Sequence, residues 1–249
     1  MSAVMPARLR PLARRLRADR RGLALLEFAF TLPLLLMTGL YGVEIANLAL
    51  VNLRISQIAL NLADNASRVG TTPLSVQQLR EVDINDVLQA ARYQGSSIGL
   101  TTRGRIIVSS LENVQQSYDT QPVQRIHWQR CIGLRGSTAS DAAYNSSYGS
   151  ATPLATAGSD ATLANAGTPQ PGGMGDAGTR VSAPPGTGVF FVEIIYDYKP
   201  LISGYLVGSA ARIHYTGSFI VRDNRDFTQL YNPVTSPATV PSTCDRYTT

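Results

Sequence analysis

Hydrophobic and polar positions divide the chain into four successive regions. Residues 1–22 are polar and basic, residues 23–43 are almost uniformly apolar, residues 44–69 repeat apolar positions with a helical period, and residues 70–249 mix alternating and irregular segments. An apolar α-helix over 23–43 would rise about 31 Å, which matches the hydrocarbon thickness of a bilayer. The pattern therefore predicts a transmembrane helix over 23–43.

The helical pattern continues into residues 44–69 as a stalk. A heptad-like frame gives a seam of eight positions, of which all but Asn52 are apolar, and polar side chains lie on the opposite side. The seam positions are Ile45, Leu48, Asn52, Ile55, Ala59, Leu62, Ala66 and Val69. We predict one helix from Leu23 to Arg68, about 69 Å long, with Glu44 at the outer membrane interface. Pro33 is expected to bend the membrane part.

The region 70–249 has the pattern of an extracytoplasmic α+β domain. A helix is predicted over Leu74–Arg92, and strands are predicted around Arg105–Ser109 and Val123–Gln129. In the second of these strands Ile126 and Trp128 are expected to be buried, and the alternating residues Arg125, His127 and Gln129 are expected to be exposed to water. Two further strands, Val189–Lys199 and Arg212–Val221, alternate apolar and polar positions. The fold class is thus α+β, with a mostly antiparallel sheet, one or more helices, and one sheet face expected to meet water.

Residues 136–188 interrupt this domain with a different composition. Forty of these 53 residues are Gly, Ala, Ser, Thr or Pro, and few are large and apolar. Such a segment buries too little surface to offset its ordering entropy, so we expect a flexible insertion within the domain.

Charge is concentrated at the start of the chain. Residues 1–22 contain seven arginines and one aspartate, whereas residues 23–249 hold 15 basic and 16 acidic residues. The arm predicts a cytoplasmic N-terminus with the domain outside, because basic residues stay on the cytoplasmic side. The nearly neutral remainder argues against nucleic-acid binding. A cleaved secretory signal, a transit peptide and a plain anchor remain alternatives for the first 43 residues.

Glu27 is the one charged residue within the apolar run, and a carboxylate in lipid indicates a functional partner. Cleavage after Gly22 would expose an ammonium group on Leu23, one helical turn from Glu27, which would neutralise the carboxylate. Glycine suits such a cleavage site because it places no side chain in the path of a peptidase.

This stretch, with Gly22 before Leu23 and Glu27 preceding Phe28, resembles the class III signal of type IV pilins, which a prepilin peptidase cleaves. The wider run 19–44 resembles the TadE-like proteins of the tight-adherence (Tad, or Flp) pilus system, and 193–201 is similar to a strand and Pro-Leu turn of that family. Phe28 stands where the major Tad pilins carry tyrosine. The resemblance implies a non-enzymatic pseudopilin or minor pilin.

That assignment carries expectations about partners and location. The resemblance implies contacts with the membrane, a prepilin peptidase, other pilin or pseudopilin subunits and Tad assembly proteins. It places the chain in the bacterial inner membrane, single-pass, with the domain in the periplasm or incorporated into a pilus. An uncleaved single-pass scaffold that binds an envelope partner is the alternative.

Cys131 and Cys244 are the two cysteines of the chain. In an extracytoplasmic domain an isolated pair favours a disulfide, although two unrelated thiols remain the other interpretation.

The sequence offers no convincing catalytic, cofactor, metal or small-molecule site. The Gly95–Gly99 segment fits a nucleophile-elbow pattern around Ser97 but follows a predicted helix, where a strand is required. The match to a dinucleotide pattern in 173–178 lies in a glycine-rich tract, where composition alone produces it. His127 and His214 lack ligands at metal-binding spacing. A tethered hydrolase using Ser97 is thus a third, weaker hypothesis.

Overall fold

The structure is a computed structural model, and it describes residues 22–70, 76–151, 162–202, 211–233, 237 and 239–249. Of the predicted basic leader it describes only Gly22, so the prediction for residues 1–21 lies outside the described part of the chain.

One long helix, α1, runs from Leu23 to Arg68, and this confirms the single helix predicted from the sequence. Residues 23–43 are exposed around the whole helix, and Glu44 is the first buried residue. Pro33 lies inside the helix. Within the described residues, α1 is the one helix long and apolar enough to cross a membrane.

The outer part of α1 packs one face against the rest of the molecule, which we call the head. Ile45 and Asn52, two positions of the predicted seam, are exposed, so the seam was placed partly wrong. A straight helix has 3.6 residues per turn, and the buried stripe therefore drifts from a 3.5-residue frame and widens. The buried apolar residues of α1 are Val51, Ile55, Ile58, Ala59, Leu62, Ala63 and Ala66.

Two shorter helices follow. Helix α2 spans Glu81–Gln94, later than the predicted start at Leu74, which lies outside the described residues. The Asp83 carboxylate accepts the N–H of Arg80 at 3.0 Å and so fixes the helix start, while residues 77 and 80 pair as bridges with the C-terminal segment. Helix α3 spans Leu100–Arg103 and leads into the sheet.

Among the described residues the sheet has five antiparallel strands: β1 Gly104–Val114, β2 Val123–Ile132, β3 Thr168–Pro169, β4 Thr187–Asp197 and β5 Arg212–Ile220. The strand order is β3-β2-β1-β4-β5. These strands and helices confirm the α+β class, and the two predicted C-terminal strands pair directly with each other.

The first face of the sheet packs against α1 and α2. The core there includes Phe190, Val192 and Ile194 from β4, in contact with apolar side chains of both helices. Trp128 of β2 meets Phe190 edge to face, with ring centroids 5.6 Å apart. Gly217 of β5 lies against the backbone of Ala59, where an added Cβ would come within 3.2 Å of the helix. Close approach of strand and helix therefore favours glycine at this position.

The second face of the sheet is covered as well, and this differs from the expectation that it would meet water. Arg125, His127 and Gln129 of β2 were predicted to be exposed to water, but all three are buried. A bulge in β2 opposite Ser110 and Leu111 shifts the pairing, so Ile126 packs on this face, whereas Trp128 packs on the first. The described parts of 136–188 pack over this face and contribute buried side chains such as Tyr144 and Met174. Small residues permit this close packing, and the flexibility of the insertion stays a prediction.

The Arg225 side chain caps the C-terminal end of α1. Its guanidinium donates to the carbonyls of Ala66, Ser67 and Val69 at 3.0–3.4 Å and pairs with Asp223. The last carbonyls of a helix lack partners within the helix, and a cation placed there also interacts favourably with the helix dipole. The far end of α1 is thus fastened to the head.

Cys131 of β2 and Cys244 form a disulfide, as predicted. The cross-link joins residues 113 positions apart. Around it, the N–H of Cys131 donates to the carbonyl of Ser242 at 2.7 Å, and the N–H of Gly133 donates to that of Thr248 at 2.7 Å. The C-terminal segment is therefore held against β2 by covalent and hydrogen bonds.

Candidate functional site

The residues predicted to carry processing lie at the start of α1. Gly22 directly precedes the helix, and its carbonyl accepts the N–H of Leu26 at 3.1 Å. An ideal Cβ at Gly22 would meet no atom within 4 Å. Leu23 is the first helical residue and is exposed. The backbone at the predicted cleavage position is therefore free of packing among the described residues.

Glu27 and Phe28 lie one turn into α1, and both are exposed. Within the described part of the chain, the Glu27 carboxylate has no basic partner, while its backbone carbonyl accepts the Thr31 hydroxyl at 2.8 Å. The structure thus places the four predicted residues together on one exposed helix end. Whether the chain is cleaved there stays a prediction.

A second acidic residue of α1, Glu44, forms a junction with the head. Its carboxylate accepts hydrogen bonds from the Tyr198 hydroxyl at 2.5 Å and from the backbone N–H groups of Leu201 and Ile202 at 2.9–3.2 Å. Asn47, one turn further along α1, donates to the same tyrosine oxygen at 2.6 Å. Glu44 is 0% exposed. Its position at the end of the exposed apolar segment fixes where the head begins.

The electrostatics of this junction favour the ionised carboxylate. The hydrogen bond from Tyr198 lowers the pKa of Glu44 below its ordinary value, and the N–H groups of Ile202 and Leu201 act in the same direction against the effect of burial. Burial and the neighbouring carboxylate raise the pKa of Tyr198, so its hydroxyl keeps its proton. Because the pKa of Glu44 is lowered, the contribution of its charge to stability is present above its ordinary pKa and lost as pH falls.

The sequence predicts that Glu44 lies at the membrane interface, but it did not indicate the hydrogen-bond partners of Glu44, which lie more than 150 residues away. The Tyr-Lys-Pro-Leu run that carried part of the family resemblance supplies two of these partners, Tyr198 and Leu201, and Ile202 follows it directly. Two sequence features could have suggested this pairing: an acidic residue at the end of an apolar run, and a tyrosine shortly before a proline turn.

Two buried acids pair with the two histidines of the chain. His127 Nδ1 lies 2.8 Å from Glu112, which also accepts the Ser110 hydroxyl at 2.6 Å. In the neighbouring strands, His214 of β5 lies 3.4 Å from Glu193 of β4. In the first cluster the acid stands between serine and histidine, whereas a hydrolase triad needs the histidine in the middle.

The other chemical patterns of the sequence do not form a site in the described residues. Ser97 lies exposed in a short 3-10 helix, Ser96–Ile98, that follows α2 rather than a strand. The glycine-rich segment 173–178 is a turn closed by a bridge between Met174 and Val181. In the part of the chain described, no three His, Cys, Asp or Glu side chains are grouped to hold a metal ion.

Comparison of the chain with family models, curated proteins and solved structures finds no match. The candidate functional residues therefore lie at the two ends of the exposed apolar segment of α1, Gly22 to Glu27 at one end and Glu44 at the other.

Proposed function

We propose that the chain is a non-enzymatic pseudopilin or minor pilin of a Tad-type pilus or secretion machine. The observation that carries the proposal is the exposed apolar half of α1, with Glu27 as its one charged side chain and Gly22 immediately before it. An unpaired carboxylate in lipid is costly and marks a place where a partner must supply positive charge. A new ammonium group on Leu23, in the same or a neighbouring subunit, would supply it.

The membrane arrangement is part of the proposal. Residues 23–43 would span the bacterial inner membrane once, with the arginine-rich arm in the cytoplasm and the head in the periplasm. The Cys131–Cys244 disulfide supports an oxidising compartment for the head. The head would then present subunit contacts outside the membrane, while the helix docks against other subunits or assembly proteins within it.

N-terminal sequencing tests the processing step. The full chain is expressed in cells with and without a prepilin peptidase, purified from membranes, and its N-terminus is sequenced. We expect Leu23 as the first residue only when the peptidase is present. An unchanged Met1 or Ser2 terminus in both cells contradicts cleavage and leaves the uncleaved scaffold.

Two glycine variants make this test specific. Gly22→Val should block cleavage because a branched side chain then enters the peptidase site. Gly42→Val is the matched control, since an added Cβ meets no atom within 4 Å at either glycine. Equal processing of both variants would show that Gly22 has no special role.

Assembly is tested separately at Glu27. Glu27→Gln removes the charge at constant shape and should reduce co-purification of partner subunits with the chain. Thr38→Val is the control, because Thr38 is a polar residue of the same segment that donates only to carbonyls of its own helix, Leu34 and Leu35. Undiminished co-purification of the Glu27→Gln chain would favour the scaffold alternative.

A further inference from the structure

The end of the head nearest the apolar half of α1 carries exposed apolar side chains. We define the basal loop as Lys199, Leu201 and Ile202, which follow β4. The side chains of Leu201 and Ile202 are 64% and 40% exposed, and Lys199 is exposed beside them. A single exposed leucine is common on protein surfaces. Two adjacent exposed apolar residues beside a lysine, held at one position along the axis of α1, are less common and suggest a contact.

Glu44 fixes the position of the basal loop along the axis of α1. Its carboxylate binds the backbone N–H groups of both Leu201 and Ile202, so the loop backbone lies beside the first buried residue of α1. Val43, the preceding residue, ends the exposed apolar segment. At about 1.5 Å per helical residue, the loop lies within a turn of that boundary.

The rest of the head extends away from this boundary. Further along α1, Ala59 meets Gly217 of β5, and the last turn of the helix meets Arg225. The opposite end of β4, at Val189, pairs with Ile220 of β5. The basal loop therefore belongs to the end of the head that faces the apolar segment, and Ile220 belongs to the far end.

We propose that the basal loop is a lipid-contacting surface, with Leu201 and Ile202 inserted at the boundary between headgroups and acyl chains of the outer leaflet. Apolar side chains gain free energy when they leave water at this depth, and a lysine can reach the anionic phosphates while its stem stays apolar. The inference rests on the proposed membrane span of α1. It gives the head a second attachment to the bilayer besides the helix.

Fluorescence quenching by brominated lipids tests the contact. The full-length Leu201→Trp and Ile220→Trp variants are reconstituted into vesicles of phosphatidylcholine and phosphatidylglycerol with bromine near the carbonyl end of the acyl chains. Ile220 is 36% exposed at the far end of the sheet and serves as the matched control. The native Trp128 is buried in the head and adds the same background to both variants.

We expect the Leu201→Trp emission to shift to shorter wavelength and to lose intensity in brominated vesicles, while the fractional loss of intensity of Ile220→Trp is no larger than that of the wild type. Equal quenching of the two variants in a protein that resists alkaline carbonate extraction would overturn the basal-loop contact alone. Extraction of the wild-type protein by carbonate would overturn the membrane span, and the lipid contact with it.

Discussion

The hydroxyl of Tyr198 donates a hydrogen bond to the carboxylate of Glu44 across 154 residues of sequence, and both side chains are buried. The first lies just after the strand β4, and the second lies where α1 changes from an exposed to a packed helix. This bond and the two N–H groups that donate to the same carboxylate join the head to α1 at Glu44.

Removal of this hydroxyl should loosen the loop after β4. In Tyr198→Phe the Glu44 carboxylate stays buried with one donor fewer, and we expect the amides of Leu201 and Ile202 to exchange faster by on the order of tenfold. Hydrogen-deuterium exchange of the full chain in detergent measures this. Tyr93→Phe, at an exposed tyrosine of α2, is the control. Unchanged exchange in Tyr198→Phe would mean that the N–H groups suffice to hold the loop.

The pair of His127 and Glu112 predicts a pH dependence of stability. Burial lowers the pKa of His127, but the charge and hydrogen bond of Glu112 more than offset this, so its pKa lies above the ordinary 6.5. The contribution of this pair is therefore fully present below pH 6.5 and lost as pH rises through the raised pKa. Thermal unfolding between pH 6 and pH 9 measures this. The free energy of unfolding of the wild type minus that of Glu112→Gln should shrink with rising pH, as expected when one group of the folded protein releases a proton. A difference independent of pH would contradict a charged His127.

The ion pair of Glu81 and Arg130 should be sensitive to loss of either partner. It joins the start of α2 to β2, and both side chains are 0% exposed. Glu81→Ala leaves a buried guanidinium without its carboxylate, and we expect a loss of roughly 3 to 5 kcal/mol in the free energy of unfolding. Guanidinium unfolding of the full chain in detergent, followed by Trp128 fluorescence, measures this loss.

The control for that measurement is an exposed pair. Asp64 and Arg68 lie at adjacent turns of α1, and the Arg68 side chain is 71% exposed. Asp64→Ala should cost at most about 1 kcal/mol because water screens the pair. Equal losses in Glu81→Ala and Asp64→Ala would contradict the structural role of the buried pair.

The disulfide should contribute strongly to the stability of the head. Joining residues 113 positions apart restricts the unfolded chain, and removing a native disulfide of this kind typically costs about 2 to 5 kcal/mol. The double variant Cys131→Ser and Cys244→Ser should therefore unfold at lower denaturant, and a reductant should shift the wild type but not the variant. A wild type that is insensitive to reductant at its unfolding midpoint would contradict this contribution.

The local patterns of the sequence predicted the local structure well. Helix α1 was predicted to its ends because a long apolar run followed by a helical repeat leaves no competing structure. Strands β4 and β5 were predicted from strict alternation, and the disulfide from an isolated cysteine pair in a domain predicted to be extracytoplasmic. The start of α2 was not, because the capping contact of Arg80 and Asp83 carries no strong sequence signal.

The contacts that define the site were beyond sequence reasoning for a physical reason. Glu44 and Tyr198, or Glu81 and Arg130, meet only because the fold brings distant segments together, and nothing local to either residue reports the pairing. Likewise, the small residues of 136–188 gave no period by which to predict that they cover the second sheet face. His127 looked exposed in sequence because strict alternation was assumed, but the bulge in β2 breaks that alternation and His127 is buried against Glu112.

Helix α1 is fastened to the head at both ends of its outer part, by Glu44 below and by Arg225 above, over about 37 Å of helix. Two points of attachment at that separation oppose rotation of the outer part of α1 relative to the head. A displacement of α1 at Glu44 would thus carry the far end of the head with it.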